Sequence, residues 1–223
     1  MPSLDETGEF AFIDRLRDIY PGSPDVVQGL GDDCAVVKVG ERTQLISTDL
    51  SVEGVHFRRD WYSPYDIGWK ATAAALSDIA AMGGQPQFVL TSMAIPASTE
   101  VEDLTVIAEG IRDAAESVGA TVIGGDTTRS PAGLMIDVTV IGEAADGKYL
   151  LRKGAQSGDM LLITGTPGRS RAGLLALEKG LDAETLIRAH VHPEPRVEYG
   201  QWFLQQPHAR AMMDVSDGIA QDA

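Results

Sequence analysis

The sequence predicts an α+β fold: an N-terminal mixed, largely antiparallel sheet with helices on one face, followed by an incomplete α/β second domain. Three observations predict it. Helical and strand patterns follow the order helix, two strands, helix, strand, helix, two strands, which lacks the strict alternation of a doubly wound sheet. Two short β-rich segments are separated by the turn residues Gly40-Glu41-Arg42-Thr43. Beyond a turn-rich stretch at residues 145–155, a new strand, glycine-rich turn and helix begin, so the domains are drawn at 1–148 and 149–223.

The first helix is expected from Gly8 to Tyr20, where Phe10, Ile13, Leu16 and Ile19 recur every third residue before Pro21-Gly22. Strands follow at Ala35–Val39 and Gln44–Thr48. The stretch Tyr65–Met82 is rich in alanine, carries Ile67, Ala71, Ala74, Leu76, Ile79 and Met82 on one face, and stops at Gly83-Gly84. A strand at Phe88–Ile95 leads to a helix capped by Ser98 or Thr99 that runs to about Val118. The next strand, Thr121–Ile123, is expected to break at Gly124-Gly125, and another runs from Leu134 to Gly142. Asp146-Gly147-Lys148 reads as a turn at the end of the first domain, and in the second Met160–Thr164 reads as a strand, Ser170–Lys179 as a helix and Ala211–Val215 as a last strand.

Composition narrows the function. The 223 residues are 43% hydrophobic, enough for a substantial core, and no apolar run reaches the roughly 18 residues of a membrane span. The N-terminus is acidic, unlike a secretory signal, which places the protein in the cytoplasm. A formal charge of −15 repels nucleic acid and anionic lipid. Cys34 is the sole cysteine, which excludes an internal disulfide and a cysteine-based zinc site.

The chemistry-bearing residues are aspartates. Asp32 and Asp33, Asp49, Asp126, Asp214 and Asp217 lie where an element gives way to a loop, beside Gly, Ser or Thr, and Asp78 lies inside the alanine-rich helix among Leu76, Ile79 and Ala80. A carboxylate in those surroundings needs a cation, and a hard divalent ion such as magnesium takes oxygen ligands. For each aspartate alone the commoner use beside Gly or Ser is a helix cap or an Asx-turn; six together favour a shared role, although spacing does not show that they converge. The P-loop, the dinucleotide fingerprint, the protein-kinase signatures and the G-x-S-x-G elbow are all absent. The nearest phosphate-loop mimic, Gly165-Thr166-Pro167-Gly168-Arg169-Ser170, lacks the lysine and reads as a structural turn. Gly124-Gly125-Asp126-Thr127-Thr128-Arg129 is more suggestive, because paired glycines let backbone N–H groups approach a phosphate. Of the four histidines, none has zinc-motif spacing, and His56 stands out by following Asp49 and Gly54.

Taken in order, Gly31-Asp32-Asp33-Cys34-Ala35, Ser47-Thr48-Asp49, Gly54-Val55-His56-Phe57, Lys70 with Leu76-Ser77-Asp78-Ile79-Ala80-Ala81-Met82-Gly83, the Gly124–Arg129 loop, Arg152-Lys153-Gly154-Ala155 and Asp214-Val215-Ser216-Asp217-Gly218 resemble the thiamine-monophosphate kinase family. That family belongs to the superfamily of aminoimidazole ribonucleotide synthetase and selenophosphate synthetase. The resemblance implies ATP- and Mg2+-dependent phosphorylation of thiamine monophosphate to thiamine diphosphate. It implies magnesium ligands at Asp33, Ser47, Thr48, Asp49, Asp78, Asp126, Asp214 and Asp217, and ATP contacts at Gly125, Asp126, Arg152 and Ser216. Arg152 and Asp126 would be catalytic and His56 would meet the thiamine phosphate. It further implies a homodimer built by pairing the sheets of two N-terminal domains. Family members continue past the Asp214–Gly218 loop, so the second domain is expected to be incomplete and to lack part of the thiamine pocket. Two other readings stay open: another ATP-using enzyme of the superfamily, and an inactive nucleotide-binding dimer.

Overall fold

The computed structural model of the protein describes residues 3, 6, 8–20 and 22–222. Helix α1 (Glu9–Ile19) forms where the three-residue spacing predicts it, with Ile19 mostly exposed. The side chain of Phe10 and the expected stop at Pro21 lie outside the described residues.

Six strands form one sheet: β1 (Val26–Gln28), β2 (Ala35–Val39), β3 (Arg42–Val52), β4 (Gln85–Pro96), β5 (Thr121–Ser130) and β6 (Met135–Glu143). Their spatial order is β1-β2-β3-β6-β4-β5. All neighbours are antiparallel except β4 and β5. The parallel pair requires a crossover, and helix α3 (Val101–Glu116) supplies it. β1 had no signal in the sequence, being three residues long.

The break expected at Gly124-Gly125 does not occur. β5 continues to Ser130 because the irregularity is a bulge, with Val122 opposite Val89 and Gly124 opposite Leu90, after which regular pairing resumes. Gly125 is required there: a Cβ on it would lie 1.7 Å from the Thr91 carbonyl oxygen.

Helix α2 (Pro64–Ala81) is the centre of the molecule. Ser63 caps it, accepting a hydrogen bond from the Asp66 N–H at 3.1 Å, with Pro64 in the first turn. Leu76, Ile79 and Met82 are fully buried with Leu45, Val89, Ile136, Val138 and Val140 of the sheet. Its small residues allow α3 to pack in backbone contact. A Cβ on Gly68 would lie 2.0 Å from the Ile107 carbonyl oxygen, and one on Gly110 would lie 2.1 Å from that of Tyr65. Neither Ser98 nor Thr99 caps α3; the N-cap is Glu100, and the Thr99 hydroxyl accepts from Arg59 at 3.2 Å.

After β6, the turn at Asp146-Gly147 forms as expected, with φ of 55° and 69°. Helices α4 (Arg169–Lys179), α5 (Glu184–Val191) and α6 (Val197–Leu204) follow, with a last turn α7 (Ile219–Asp222). α5 and α6 dock on α2: Trp69 Nε1 donates to the Pro193 carbonyl at 2.7 Å, and a Cβ on Gly200 would lie 1.9 Å from the Ala80 carbonyl oxygen. The strands expected at Met160–Thr164 and Ala211–Val215 are not formed. A β-rich run becomes a strand only through a ladder of hydrogen bonds to a neighbour; among the described residues Met160–Thr164 shows no such bond and Ala211–Val215 a single one, from the Met212 N–H to the Leu151 carbonyl at 3.0 Å.

Both α2 and α3 cover one face of the sheet. The opposite face carries successive cross-strand rows: Ile46–Ile141–Phe88, then Thr48–Thr139–Leu90, then Leu50–Asp137–Ser92–Asp126. Leu50 and Phe88 are 48% and 42% exposed there, an apolar surface with no covering layer among the described residues.

Candidate active site

Three carboxylates converge from three parts of the chain. Asp33 sits in the loop entering β2, Asp78 in the last turn of α2 facing the sheet, and Asp214 in the segment after α6; one carboxylate oxygen from each lies within 4.8 Å of the others. Ser47, on the helix-facing side of β3, donates its hydroxyl to Asp78 Oδ2, and Ser77 Oγ donates to Asp214 Oδ2 at 3.4 Å.

Arg152 is the cation that meets them. Its Nε donates to Asp33 Oδ1 at 2.9 Å, its guanidinium approaches Asp214 Oδ1 at 3.9 Å, and its backbone N–H donates to Asp32 at 3.2 Å. Asp33 has a fully buried side chain, and its Oδ2 has no hydrogen-bond partner among the described residues.

The electrostatics follow from this crowding. Burial pushes Asp78 up to about 7, opposed by the Ser47 hydrogen bond and reinforced by Asp214, Asp33 and Asp49. Asp214 rises to about 6, through burial first and the charge of Asp33 second. Burial also raises Asp33 despite Arg152, and raises Asp49, where nearby His56 opposes the shift and Asp137 adds to it. Carboxylates crowded in this way are stable as anions only beside a cation. An orphaned buried oxygen on one member of an all-oxygen cluster fits a hard divalent ion such as magnesium.

The structure therefore brings together Asp33, Asp78, Asp214, Ser47 and Arg152 of the sequence-predicted residues, with Asp49 close enough to act on Asp78. It does not bring Thr48's hydroxyl to the cluster. Strand alternation sends that side chain to the uncovered face, where its Oγ1 donates to Asp137 at 3.0 Å and lies 3.0 Å from Thr139 Oγ1. Gly125 and Asp126 lie on β5, three strands from β3 along the row Leu50–Asp137–Ser92–Asp126, a distance of about 14 Å at one strand spacing per step. They line a shallow cleft with Thr91, Met93 and Thr127. Asp137, inside a strand and without a loop signal, is the acidic neighbour of Thr48 and Asp49 that sequence reasoning missed.

Ser216 and Asp217 lie in the loop after Asp214. The backbone N–H groups of Ser216, Asp217 and Gly218 all donate to Oδ2 of Asp222, at 3.1, 3.2 and 3.0 Å. Three successive N–H groups converging on one anion make a nest of the kind that holds a phosphate oxygen. His56 is exposed on the turn after β3, with its Nδ1 accepting from the Val52 N–H at 3.0 Å.

Residues 31–144 match the family described as AIR synthase related protein, N-terminal domain. The chain is 40% identical to thiamine-monophosphate kinase of Bacillus subtilis, over 96% of this chain and 68% of that protein. It is 37% identical to that of Mycobacterium tuberculosis, over 99% of this chain and 66% of that protein. Among solved structures, AaThiL complexed with AMPPCP and TMP superposes with a TM-score of 0.89 at 35% identity, covering 100% of this chain and 70% of that one. The chain spans about two thirds of the length of these curated relatives. With this identity and coverage, the chain belongs to the thiamine-monophosphate kinase family.

Proposed function

We propose that the chain carries the ATP- and magnesium-binding machinery of a phosphotransferase that converts thiamine monophosphate to thiamine diphosphate, with ATP as the phosphoryl donor. The observation that carries this reading is the Asp33–Asp78–Asp214 cluster with Arg152 at its edge. The related structure described as complexed with AMPPCP and TMP supports the pair of substrates. Relatives named as kinases favour this reading over another superfamily activity or an inactive dimer.

Asp33, Asp78 and Asp214 would hold magnesium, with Ser47 orienting Asp78 and with Asp49 and Asp217 the further carboxylates nearest to the set; the Thr48 hydroxyl and Asp126, on the uncovered face, would not reach that ion. Bound magnesium supplies charge neutralisation to the triphosphate. Arg152, anchored on Asp33, would turn its remaining N–H groups toward the transferred phosphoryl, where charge is spread over equatorial oxygens. The Ser216–Gly218 nest and the Gly125-Asp126 strand would bind further phosphate oxygens. The acceptor is an ionised phosphate, so no strong general base is required and positioning carries the chemistry. His56, exposed beside Asp49, would donate to the acceptor phosphate.

The division at residue 148 would separate the sheet domain from a second domain that closes over the nucleotide. The uncovered sheet face would pair two copies: it joins an apolar row to a polar row bearing Asp126, and a second copy would cover the exposed Leu50 and Phe88. Dependence on cellular ATP and magnesium would place the enzyme in the cytoplasm.

The test is ADP release from Mg-ATP with and without thiamine monophosphate. Release that requires thiamine monophosphate is expected. Binding of Mg-ATP with no response to it would overturn the substrate assignment and leave the nucleotide site standing.

A further inference from the structure

Lys70 is a half-buried cation that the chemistry above does not use. It lies on α2, two turns before Asp78, and among the described residues it forms no ion pair. Its Nζ instead donates to the His56 carbonyl at 3.2 Å and to the Tyr62 hydroxyl at 2.7 Å. An ammonium with no carboxylate partner is costly to bury, and burial alone lowers this one to about 8. In a chain with 33 acidic residues, a cation held apart from all of them has a local task.

The task is legible in what it grips. Residues 52–57 form a tight turn in which the Val52 carbonyl accepts from the N–H groups of Val55 and His56, at 3.1 and 2.9 Å, and Gly54 N–H donates to the Phe57 carbonyl at 2.8 Å. Phe57 is buried as the anchor of that turn, while His56 is exposed. The His56 ring is held by the Val52 N–H on Nδ1, so in the neutral ring the proton is on Nε2 and that nitrogen is the outward donor. Lys70 grips the other end of the same residue, its carbonyl oxygen. His56 is therefore fixed at ring and backbone together, and the only side chain from outside the turn on its backbone is Lys70 among the described residues.

We propose that Lys70 is a positioning residue: by binding the His56 carbonyl it holds the 52–57 turn so that His56 presents its Nε2–H to an anionic acceptor substrate. This rests on the reading of His56 as the acceptor-phosphate group. Tyr62 completes the device by holding Lys70 itself. Beyond Tyr62, whose ring meets His190 edge-on at 5.9 Å, the His190 Nδ1 lies 2.9 Å from Ser170 Oγ. The same chain of contacts thus ties the turn to α4 and α5.

The test is a long-range 1H–15N spectrum of histidine-labelled protein for wild type, Lys70→Met, Lys70→Arg and Tyr62→Phe, with thiamine monophosphate titrated into each. His192 and His208 serve as fold reporters. Wild type is expected to show His56 as the Nε2–H tautomer. Lys70→Met should show mixed tautomers and about tenfold weaker thiamine monophosphate binding with the reporters unmoved; Lys70→Arg should restore both, and Tyr62→Phe should fall between. Unchanged His56 nitrogen shifts in Lys70→Met, with intact reporters, would overturn the proposal. If Lys70→Met mixes the tautomers while wild type binds no thiamine monophosphate, the positioning role stands and the substrate role of His56 falls.

Discussion

Ser47 donates its hydroxyl to Oδ2 of Asp78 across the interface between sheet and helix, so a strand residue sets the direction of a carboxylate on α2. Asp78 sits among apolar neighbours, and among the described residues no cation forms an ion pair with it. Ser47→Ala is expected to leave the fold intact and weaken Mg-ATP binding about tenfold, since hydrogen bonds to charged groups contribute roughly 1.5–3 kcal/mol. Calorimetric titration of Mg-ATP checks this, and unchanged affinity would remove Ser47 from the site.

Asp214 has a different cost. It shares a buried space with Asp33 and Asp78, and the charge of Asp33 is the second cause of its shift. Asp214→Asn should therefore raise the melting temperature of the metal-free protein by about 2–4 °C per kcal/mol of repulsion relieved. The same variant should lose the stabilisation that magnesium gives wild type. Thermal scans in EDTA and in magnesium separate the two effects.

Lys70 predicts a pH dependence whose sign is fixed by its direction. Its folded value of about 8 lies below the ordinary lysine value of 10.5, so between those limits the unfolded chain binds more protons and stability rises with pH. The contribution is fully present above the unfolded value and lost as pH falls through about 8, amounting to roughly 3 kcal/mol at most. Lys70→Met should flatten the urea-unfolding profile across that window.

The crossing of α2 and α3 has no clearance at Gly68 and Gly110. Gly110→Ala must push a methyl against the Tyr65 carbonyl and is expected to cost about 1–3 kcal/mol, the usual range for overpacking. Denaturant titration measures it. A change near zero would mean that the helices separate freely.

Phe88 and Leu50 test the uncovered sheet face. Phe88→Lys places a charge at the end of the apolar row and should shift the proposed dimer to monomer in sedimentation, with the proposed Mg-ATP site of Asp33, Asp78 and Asp214 retained. A wild type that sediments as a monomer at micromolar concentration would reject the pairing.

Much of this was legible in sequence because the signals were local. α2 announced itself through alanine content and Gly83-Gly84 at its end, and Asp78 stood out as a carboxylate on an apolar face. The convergence of Asp33, Asp78 and Asp214 was not legible from spacing, since it depends on the sheet order and on the docking of the segment after α6. Resemblance supplied that grouping. The continuation of β5 through Gly124-Gly125 was misread because glycine pairs usually end a strand, whereas here a bulge and the near contact with Thr91 require them. The β-rich runs at Met160–Thr164 and Ala211–Val215 show the converse: composition gives a tendency, and only a pairing partner makes a strand. Thr48 and Ser47 are adjacent in sequence yet serve opposite faces, which follows from the two-residue repeat of β3 once its register is known.

The nest formed by Ser216, Asp217 and Gly218 already closes on the carboxylate of Asp222. That carboxylate is a tethered competitor. A tethered group acts at an effective concentration set by its short connection, commonly in the millimolar range or above. A phosphate oxygen bound there, as proposed above, would have to displace it, and its apparent affinity would scale with the fraction of time the nest is open. The loop would then favour anions carrying more charge than a single carboxylate, so a triphosphate would occupy the nest while lesser anions in the cell would not.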